Sequence, residues 1–203
     1  MNQLLDLEGA LAALARGKVV ALATDTVYGL AASLEHRGAI DALFTLKHRP
    51  ASLALPVLVS GVSQIEHLGV TWSAESQALS AACWPGALTI VVAVPETLST
   101  LLGSTNGTVG FRWPDGKVLN GLLASSGPLA VTSANEHGAP PCTSAAEVLE
   151  VFGERPELEG VLDGGPCTGS PSTVVDVSEG RWSILRQGAV DRASLVAVLG
   201  ETR

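Results

Sequence analysis

Apolar residues recur along the chain at two spacings, and the switches between them predict a succession of helices and strands. Near the start, leucines recur at positions 4, 7, 11 and 14, a helical spacing, and Gly17 suits the position just past a helix end. Short apolar runs rich in Val, Ile and Leu predict buried strands instead. Further helices are predicted at 38–49, 73–84, 117–127, 143–153 and 192–200. Strands are predicted at 18–24, 53–60, 87–94, 108–114, 128–135, 160–165, 172–178 and 182–188.

The order of these elements predicts the fold class. Two pairs of strands, 87–94 with 108–114 and 172–178 with 182–188, follow each other too closely for a helical crossover. Such close neighbours usually pair antiparallel, whereas interleaved helices favour parallel pairs. We therefore expect an α/β fold with a twisted, open, mixed sheet and flanking helices, formed by one domain that spans residues 1–203.

Composition and charge narrow the possible functions. The chain holds 12 Lys and Arg against 20 Asp and Glu, a net charge of −8, which argues against a broad nucleic-acid surface and makes any RNA binding weak. No apolar run approaches the roughly 20 residues that span a bilayer, and the N-terminus lacks a basic leader region. We expect a cytoplasmic protein without membrane contact. Widely spaced Cys and His residues predict neither a disulfide framework nor a metal site formed by the protein.

Polar residues cluster where apolar segments end, which points to a ligand site. In open α/β sheets, ligands bind where strand ends and loops converge. Hydroxyls together with four basic residues would suit an anion, although neither GxxxxGK[ST] nor GxGxxG occurs. The residues concerned are Thr24, Asp25, Thr26 and Tyr28; Lys47 and Arg49; Arg112; Thr132, Ser133 and Asn135; and Ser172, Thr173 and Arg186.

Each of these groups also has an ordinary structural interpretation. Thr24 to Thr26 could form a simple turn, and Lys47 with Arg49 a solvated helix end. Ser133 and Asn135 could cap a helix, and Arg186 could be a charge on an edge strand. Arg112 lies inside an apolar strand and needs partners if it is buried, so structure and site are equally good explanations of it.

Eight segments resemble, in order, those of the YrdC-type threonylcarbamoyl-AMP synthases. They are ATDTVYGL, LKHRP, LPVLV, CWPGALTIVV, TVGFRWP, VTSAN, DGGPCTGSPSTVVD and ILRQGAV, and they extend from about Val19 to Val190. The resemblance implies a YrdC/RibB-like sheet with a deep, positively lined cavity, in the short single-domain form. It also implies condensation of L-threonine, bicarbonate or CO2, and ATP into threonylcarbamoyl-AMP and pyrophosphate. Partner proteins would then transfer the threonylcarbamoyl group to tRNA.

The resemblance assigns roles residue by residue. Lys47 and Arg49 match the catalytic pair that faces the triphosphate, and Mg2+ would accompany ATP without ligands from the protein. The ATP-binding set it implies is Lys47, Arg49, Thr108, Ser133, Asn135 and Arg186. The threonine-binding set it implies is Thr26, Arg112, Thr132 and Ser172, with Arg112 on the amino acid's carboxylate. Asp25 is expected to brace its loop, because a carboxylate would repel a triphosphate.

Four positions depart from the family pattern and concern the shape of the threonine pocket. Ala23 replaces a usual Pro, Leu58 a His of some members, His137 a usual Ser, and Pro171 a common Glu. None removes a charged ligand. Segments 47–55 and 164–172 are the candidates for a loop that closes over the site. We expect Lys47→Ala to abolish turnover with little change in thermal stability.

Three other functions remain open at this point. One is a YciO-like paralogue of the same fold, a nucleotide- or RNA-binding protein without synthase activity; Lys47, Arg49, Ser133 and Asn135 argue against it. Another is a carbamoyl-transfer module, which would need further catalytic domains. The last is a non-catalytic RNA-binding module, disfavoured by the net charge.

Overall fold

The computed structural model describes residues 3–47, 54–136 and 138–201, whose strands form one ten-stranded sheet between two sets of helices. The strands are β1 Gln3–Leu5, β2 Val19–Leu22, β3 Gly29–Ser33, β4 Val57–Leu58, β5 Leu88–Ala93, β6 Thr108–Arg112, β7 Leu129–Ser133, β8 Leu158–Leu162, β9 Thr173–Asp176 and β10 Ser183–Arg186. The helices are α1 Leu7–Ala15, α2 Arg37–Lys47, α3 Val62–His67, α4 Ala74–Cys83, α5 Glu96–Leu101, α6 Lys117–Ser126, α7 Ala145–Phe152 and α8 Arg192–Leu199. In the described part of the chain, none of these helices is long and apolar enough to cross a bilayer.

The sheet is open and mixed, as the order of elements predicted. Its strands lie in the order β1-β8-β2-β3-β7-β4-β6-β5-β9-β10. The close neighbours β5 with β6 and β9 with β10 pair antiparallel, which confirms both predictions, whereas β8 with β2 and β5 with β9 pair parallel. Polar side chains begin four of the helices where their first backbone N–H groups need acceptors. The N-caps are Asp6 of α1, Ser73 of α4, Ser144 of α7 and Asp191 of α8.

Several sequence predictions were wrong because tertiary pairing overrode local pattern. Leu4 belongs to β1, which pairs parallel with β8, and not to the first helix. Of the described residues 54–60 in the segment predicted as a strand at 53–60, only Val57–Leu58 form a strand. Strand β3 was not predicted, since its sequence Gly-Leu-Ala-Ala-Ser has little strand propensity, and it forms between β2 and β7.

The two faces of the sheet are covered unequally, and this positions the site. One face packs against α2, α4, α7 and α8 in the larger apolar cluster. The other packs against α1 and α6 over β2, β3, β7 and β8. Along this second face, Leu58 lies beside Arg112 of β6, and Val91 of β5 beside Gly110. On β5 and β6, this face carries residues that line a cavity and not residues that pack against α1 and α6.

Candidate functional site

A cavity of about 520 Å³ opens on the second face of the sheet, over β5 and β6. This volume is within the roughly 300–1,000 Å³ of small-molecule sites. Strand ends from β3, β7, β6, β9 and β10 reach it, together with the loop that follows β2. Seven of the residues assigned by resemblance line it: Thr26, Thr108, Arg112, Thr132, Ser133, Ser172 and Arg186. Leu58 and Pro171, two of the departures from the family pattern, also line it. Arg49 and His137 lie outside the described residues.

Arg112 is the buried cation at one end of the cavity. Only 6% of the residue is exposed, and its Nε donates to the Gly86 carbonyl at 3.0 Å. Nη1 donates to Thr26 Oγ1 at 2.9 Å, and Nη2 forms an ion pair with Asp25. These contacts use one N–H of each guanidinium nitrogen and leave two of its five N–H donors without a partner among the described residues. Arg112 therefore has the structural partners that a buried charge requires, and it also lines the cavity, so its role in a site stays a prediction.

Burial dominates the electrostatics of this end. Burial lowers the pKa of Arg112, opposed by the nearby Asp25 carboxylate, while the positive charge of Arg186 lowers it further. Burial also raises the pKa of Asp25, opposed by Arg112. Asp25 therefore braces its loop through Arg112. An anionic ligand would relieve the repulsion between Arg112 and Arg186.

Two hydroxyls of the cavity lining, those of Thr132 and Ser172, differ in their hydrogen bonding. Thr132, on β7, is buried, and its Oγ1 has no hydrogen-bond partner among the described residues. Ser172 Oγ lies 2.9 Å from Thr89 Oγ1 and accepts from Arg186 Nη2 at 3.0 Å. Because buried polar atoms are normally paired, the orphaned Thr132 hydroxyl at the cavity wall points to a polar ligand.

Lys47 is not a solvated helix end, because only 4% of it is exposed. Its Nζ donates to the carbonyls of Ser133 and Asn135 at 2.8 Å each, and it also contacts the Asn135 side-chain oxygen. The Asn135 amide nitrogen donates to the Ala139 carbonyl at 2.6 Å. Of the described side chains of Lys47, Ser133 and Asn135, only that of Ser133 lines the cavity. Lys47 and Asn135 thus hold the turn that presents Ser133.

The loop that follows β2 is held by a second loop, 163–172. Thr24 Oγ1 accepts from the backbone N–H groups of Thr26 and Val27 at 3.1 and 3.2 Å, which closes a tight turn. Tyr28 OH donates to Asp163 Oδ1 at 2.8 Å, and Gly169 N donates to the Thr26 carbonyl at 2.8 Å. Burial raises the pKa of Tyr28, so its hydroxyl stays protonated and donates at neutral pH. Loop 163–172 is therefore tied to the cavity wall.

The other end of the cavity is less charged. Thr105, Asn106 and Thr108 supply polar atoms there, next to Pro56 and Val91. Asn106 Oδ1 accepts from Thr108 Oγ1 at 2.9 Å, which leaves the amide N–H groups directed elsewhere. Apolar contacts beside a few polar groups suit a nucleobase.

Sequence reasoning missed Thr89, Asn106 and Gly110 among other cavity residues, and Thr89 and Gly110 carried a local signal. Thr89 is a polar residue within the apolar strand β5. Gly110 is a residue without a side chain within strand β6. An isolated Gly in a strand often marks close approach by another group. Asn106 lies in an ordinary polar turn, so nothing in the sequence distinguished it.

The cavity is lined by cations and neutral groups. No Asp or Glu is among the lining residues that the structure describes. Within 3–47, 54–136 and 138–201, no group of three or more His, Cys, Asp or Glu could hold a metal ion. The arrangement can therefore bind anions and position them, and a metal ion would have to be held mainly by the ligand that carries it.

Comparison with known proteins relates the whole chain to one family. A family model for the Sua5, YciO and YrdC proteins, described as telomere recombination, matches residues 12–188. A Mycobacterium leprae protein is 42% identical over 193 residues, which cover 94% of this chain and 86% of that protein. The Bacillus subtilis protein named threonylcarbamoyl-AMP synthase is 34% identical over 194 residues, 94% of this chain and 56% of that protein.

Solved structures agree with this relation. Pyrococcus abyssi Sua5 in complex with L-threonine superimposes with a TM-score of 0.89 and 34% identity, over 97% of this chain and 58% of that one. Escherichia coli YciO superimposes with a TM-score of 0.86 at 20% identity, over 96% of this chain and 100% of that one. At that identity, the likeness to YciO shows the shared fold alone.

Proposed function

The chain belongs to the Sua5/YciO/YrdC family, and from this premise we propose that it is a threonylcarbamoyl-AMP synthase. Its substrates would be ATP, L-threonine and bicarbonate or CO2, and its products threonylcarbamoyl-AMP and pyrophosphate. Separate proteins would transfer the threonylcarbamoyl group to tRNA, and the cytoplasmic location expected from the sequence is part of this proposal. The Bacillus subtilis relative that bears the name of this activity supports it.

The observation that carries the proposal is the pairing of two anion-binding features in one cavity. Arg112 has two N–H donors that its described contacts do not use, and it lines the same cavity as Arg186 and the Thr132 hydroxyl, which has no hydrogen-bond partner among the described residues. An amino acid's carboxylate on Arg112 would place polar atoms within reach of Thr132 and Ser172. L-Threonine in the P. abyssi Sua5 structure supports an amino-acid site in this fold.

ATP would occupy the remainder of the cavity. Its base fits the end lined by Asn106, Thr108 and Val91, and its phosphates fit beside Ser133 and Arg186. Lys47 donates to the carbonyls of Ser133 and Asn135. It would act on ATP either by holding the turn that presents Ser133, or by leaving these carbonyls to bind the triphosphate. Arg49 remains part of the proposed ATP site on the resemblance alone. Mg2+ would enter with ATP, held by phosphate and water, since the cavity lining offers no carboxylate.

The chemistry needs no nucleophile from the protein. Threonine's neutral amine adds to CO2 and loses one proton to solvent, which forms a carbamate. A carbamate oxygen then attacks the α-phosphorus while the bond to pyrophosphate breaks. The side chains would contribute by holding two anions at reacting distance and offsetting their repulsion. Arg112 would neutralise the amino acid's carboxylate, and Arg186 the phosphates.

A YciO-like function without synthase activity is not favoured, because the relatives at 34–42% identity include a named synthase and YciO stands at 20%.

The direct test is to incubate the purified protein with ATP, Mg2+, bicarbonate and threonine. Mass spectrometry should detect threonylcarbamoyl-AMP, and pyrophosphate should appear in equal amount. The Bacillus subtilis synthase in the same buffer is the positive control, and serine in place of threonine tests selectivity. No adduct from this protein, while the control forms it, would overturn the proposed function.

A matched pair of variants tests the amino-acid site. Arg112→Gln removes the carboxylate's partner and should raise the KM for threonine about 100-fold, because truncating one partner of a buried charge pair costs several kcal/mol. Arg37→Gln changes an exposed arginine at the start of α2 and should leave the KM unchanged. Equal KM values for the two variants would contradict the assigned site.

A further inference from the structure

Gly110 lies between the two ends of the cavity on strand β6. Thr108, Gly110 and Arg112 are alternate residues of this strand, so they share a face, and all three line the cavity. Thr108 belongs to the less charged end and Arg112 to the buried cationic end. Four residues of strand extend about 13 Å, so the two ends lie far enough apart for two ligands placed end to end.

The glycine is not required by the backbone. Gly110 belongs to a regular strand and has no left-handed φ, and Gly weakens a strand because it has no side chain to pack. Backbone conformation therefore does not explain the absence of a side chain at position 110, and another reason is needed.

The space beside Gly110 supplies that reason. A Cβ at this position would lie 2.8 Å from Thr89 Cγ2, 3.5 Å from Val91 Cγ2 and 3.8 Å from Pro56 Cβ. All three neighbours line the cavity, so the missing side chain would project among the cavity walls. Thr89 is buried and its Oγ1 lies 2.9 Å from Ser172 Oγ, so its methyl group cannot turn aside without breaking that contact.

We propose that Gly110 is a positioning residue, whose bare backbone forms the floor on which the amino-acid and nucleotide ligands meet. This inference rests on the proposed function. Two reacting groups must approach to about 3–3.5 Å, and a misplacement of about 1 Å can cost 100-fold in rate. A methyl group on the floor between them separates the carbamate from the α-phosphate while each end of the cavity keeps its own contacts.

The test compares Gly110→Ala with wild type in binding and in turnover. Gly110→Ala should lower kcat about 100-fold and leave the binding of ATP alone within threefold of wild type. The binding of threonine alone is measured in Gly110→Ala/Thr89→Ser, where no methyl group opposes the added Cβ and the contact with Ser172 is kept, and it should stay within threefold of that of Thr89→Ser. Threonine is then titrated into protein saturated with α,β-methylene-ATP, which cannot react at the α-phosphate. Wild type should bind both ligands together, whereas Gly110→Ala should bind threonine at least tenfold more weakly once the nucleotide is present.

A double variant separates this role from simple packing. Thr89→Ser removes the methyl group that a Cβ at Gly110 would meet and keeps the hydroxyl beside Ser172. Gly110→Ala/Thr89→Ser should recover the unfolding temperature of Thr89→Ser alone and stay about 100-fold slow. Recovery of turnover together with stability would overturn the inference, because the glycine would then serve only to accommodate Thr89.

A control variant and the wild type complete the design. Gly38→Ala adds a methyl group to α2 where no atom lies within 4 Å, and it should leave turnover and paired binding unchanged. If wild type forms no threonylcarbamoyl-AMP, the proposed function fails and this inference with it. If wild type is active and Gly110→Ala is equally active, the inference alone fails.

Discussion

Arg112 shows how a single residue can serve both fold and site. Asp25, Thr26 and Gly86 fix its guanidinium, and the same contacts leave two N–H groups for a ligand. Because the Asp25 carboxylate already offsets its charge, the attraction for an incoming anion comes from directed hydrogen bonds and from Arg186. The residue therefore selects for geometry more than for net charge.

Lys47 leads to the first prediction, which revises the expectation of unchanged stability. Lys47→Ala should lower the free energy of unfolding by about 2 kcal/mol, because buried carbonyls of Ser133 and Asn135 lose their donor. Urea unfolding measures this loss. Lys18→Ala, at an exposed lysine, is the control and should change stability by less than about 0.5 kcal/mol. Equal stability of the two variants would show that Lys47 does not hold the turn.

Loop 163–172 acts at the scale of an element. It leaves β8, contacts the loop that follows β2, and ends at Ser172 in the cavity wall. The sequence suggested a loop that could close over the site. The hydrogen bonds from Tyr28 to Asp163 and from Gly169 to the Thr26 carbonyl hold this loop against the cavity wall, and its closure over the site stays a prediction.

The second prediction concerns the anchor of that loop. Tyr28→Phe removes the hydroxyl that donates to Asp163 and to the Gly165 carbonyl, and should cost about 1 kcal/mol. Amide hydrogen exchange should rise at Gly165 and Gly169, because both amides belong to the loop that the hydroxyl holds. The KM for threonine should rise with little change in the KM for ATP. Unchanged exchange in the loop would contradict its anchoring by Tyr28.

The third prediction is a pH dependence at Asp163. Hydrogen bonds from the Gly165 N–H and the Tyr28 hydroxyl lower the pKa of Asp163 below its usual 3.8. A lowered pKa in the folded state means that the ionised group stabilises the fold above pH 3.8, and that this stabilisation is lost as pH falls through the folded pKa.

Urea unfolding of wild type and Asp163→Asn between pH 7 and pH 3 measures this effect. The difference in unfolding free energy between them should be constant near neutrality and shrink below about pH 4. If the difference in unfolding free energy grew on acidification, the pKa of Asp163 would be raised in the folded protein and not lowered. The hydrogen bonds assigned to its carboxylate would then be contradicted.

At the scale of the whole molecule, the cavity lies where the described helices leave half the width of one face of the sheet uncovered. Helices α1 and α6 pack on β2, β3 and β8, while β6, β5 and β9 carry the cavity floor on the same face. The chain has a net charge of −8, yet Arg112 and Arg186 lie together in this cavity. Anions are therefore attracted locally and repelled elsewhere.

The fourth prediction follows from that uncovered half. Ligands that bind only the folded protein stabilise it, by about 2.7 kcal/mol at 100 times the Kd. ATP with Mg2+ and threonine should each raise the Tm, and a long RNA duplex at physiological salt should not, because most of the surface repels it. A rise in Tm with RNA that disappears at high salt would instead support the RNA-binding alternative.

The sequence by itself determined most helices, most long strands and the mixed character of the sheet. These features depend on local periodicity, caps such as Ser144 and Asp191, and the short distance between neighbouring strands. It also located polar strand ends, and the resemblance to one family assigned them to two ligands.

Only the tertiary structure decided which polar groups share a wall and which hold it in place. Asp25 became the counter-ion of Arg112, and Lys47 the support of Ser133, because residues 86 or 87 positions apart meet only after the strands pair. Gly110, one glycine among 22 in the sequence, lines the cavity between Thr108 and Arg112 on the same strand face. Strand order brings such residues together, and one-dimensional pattern does not contain strand order.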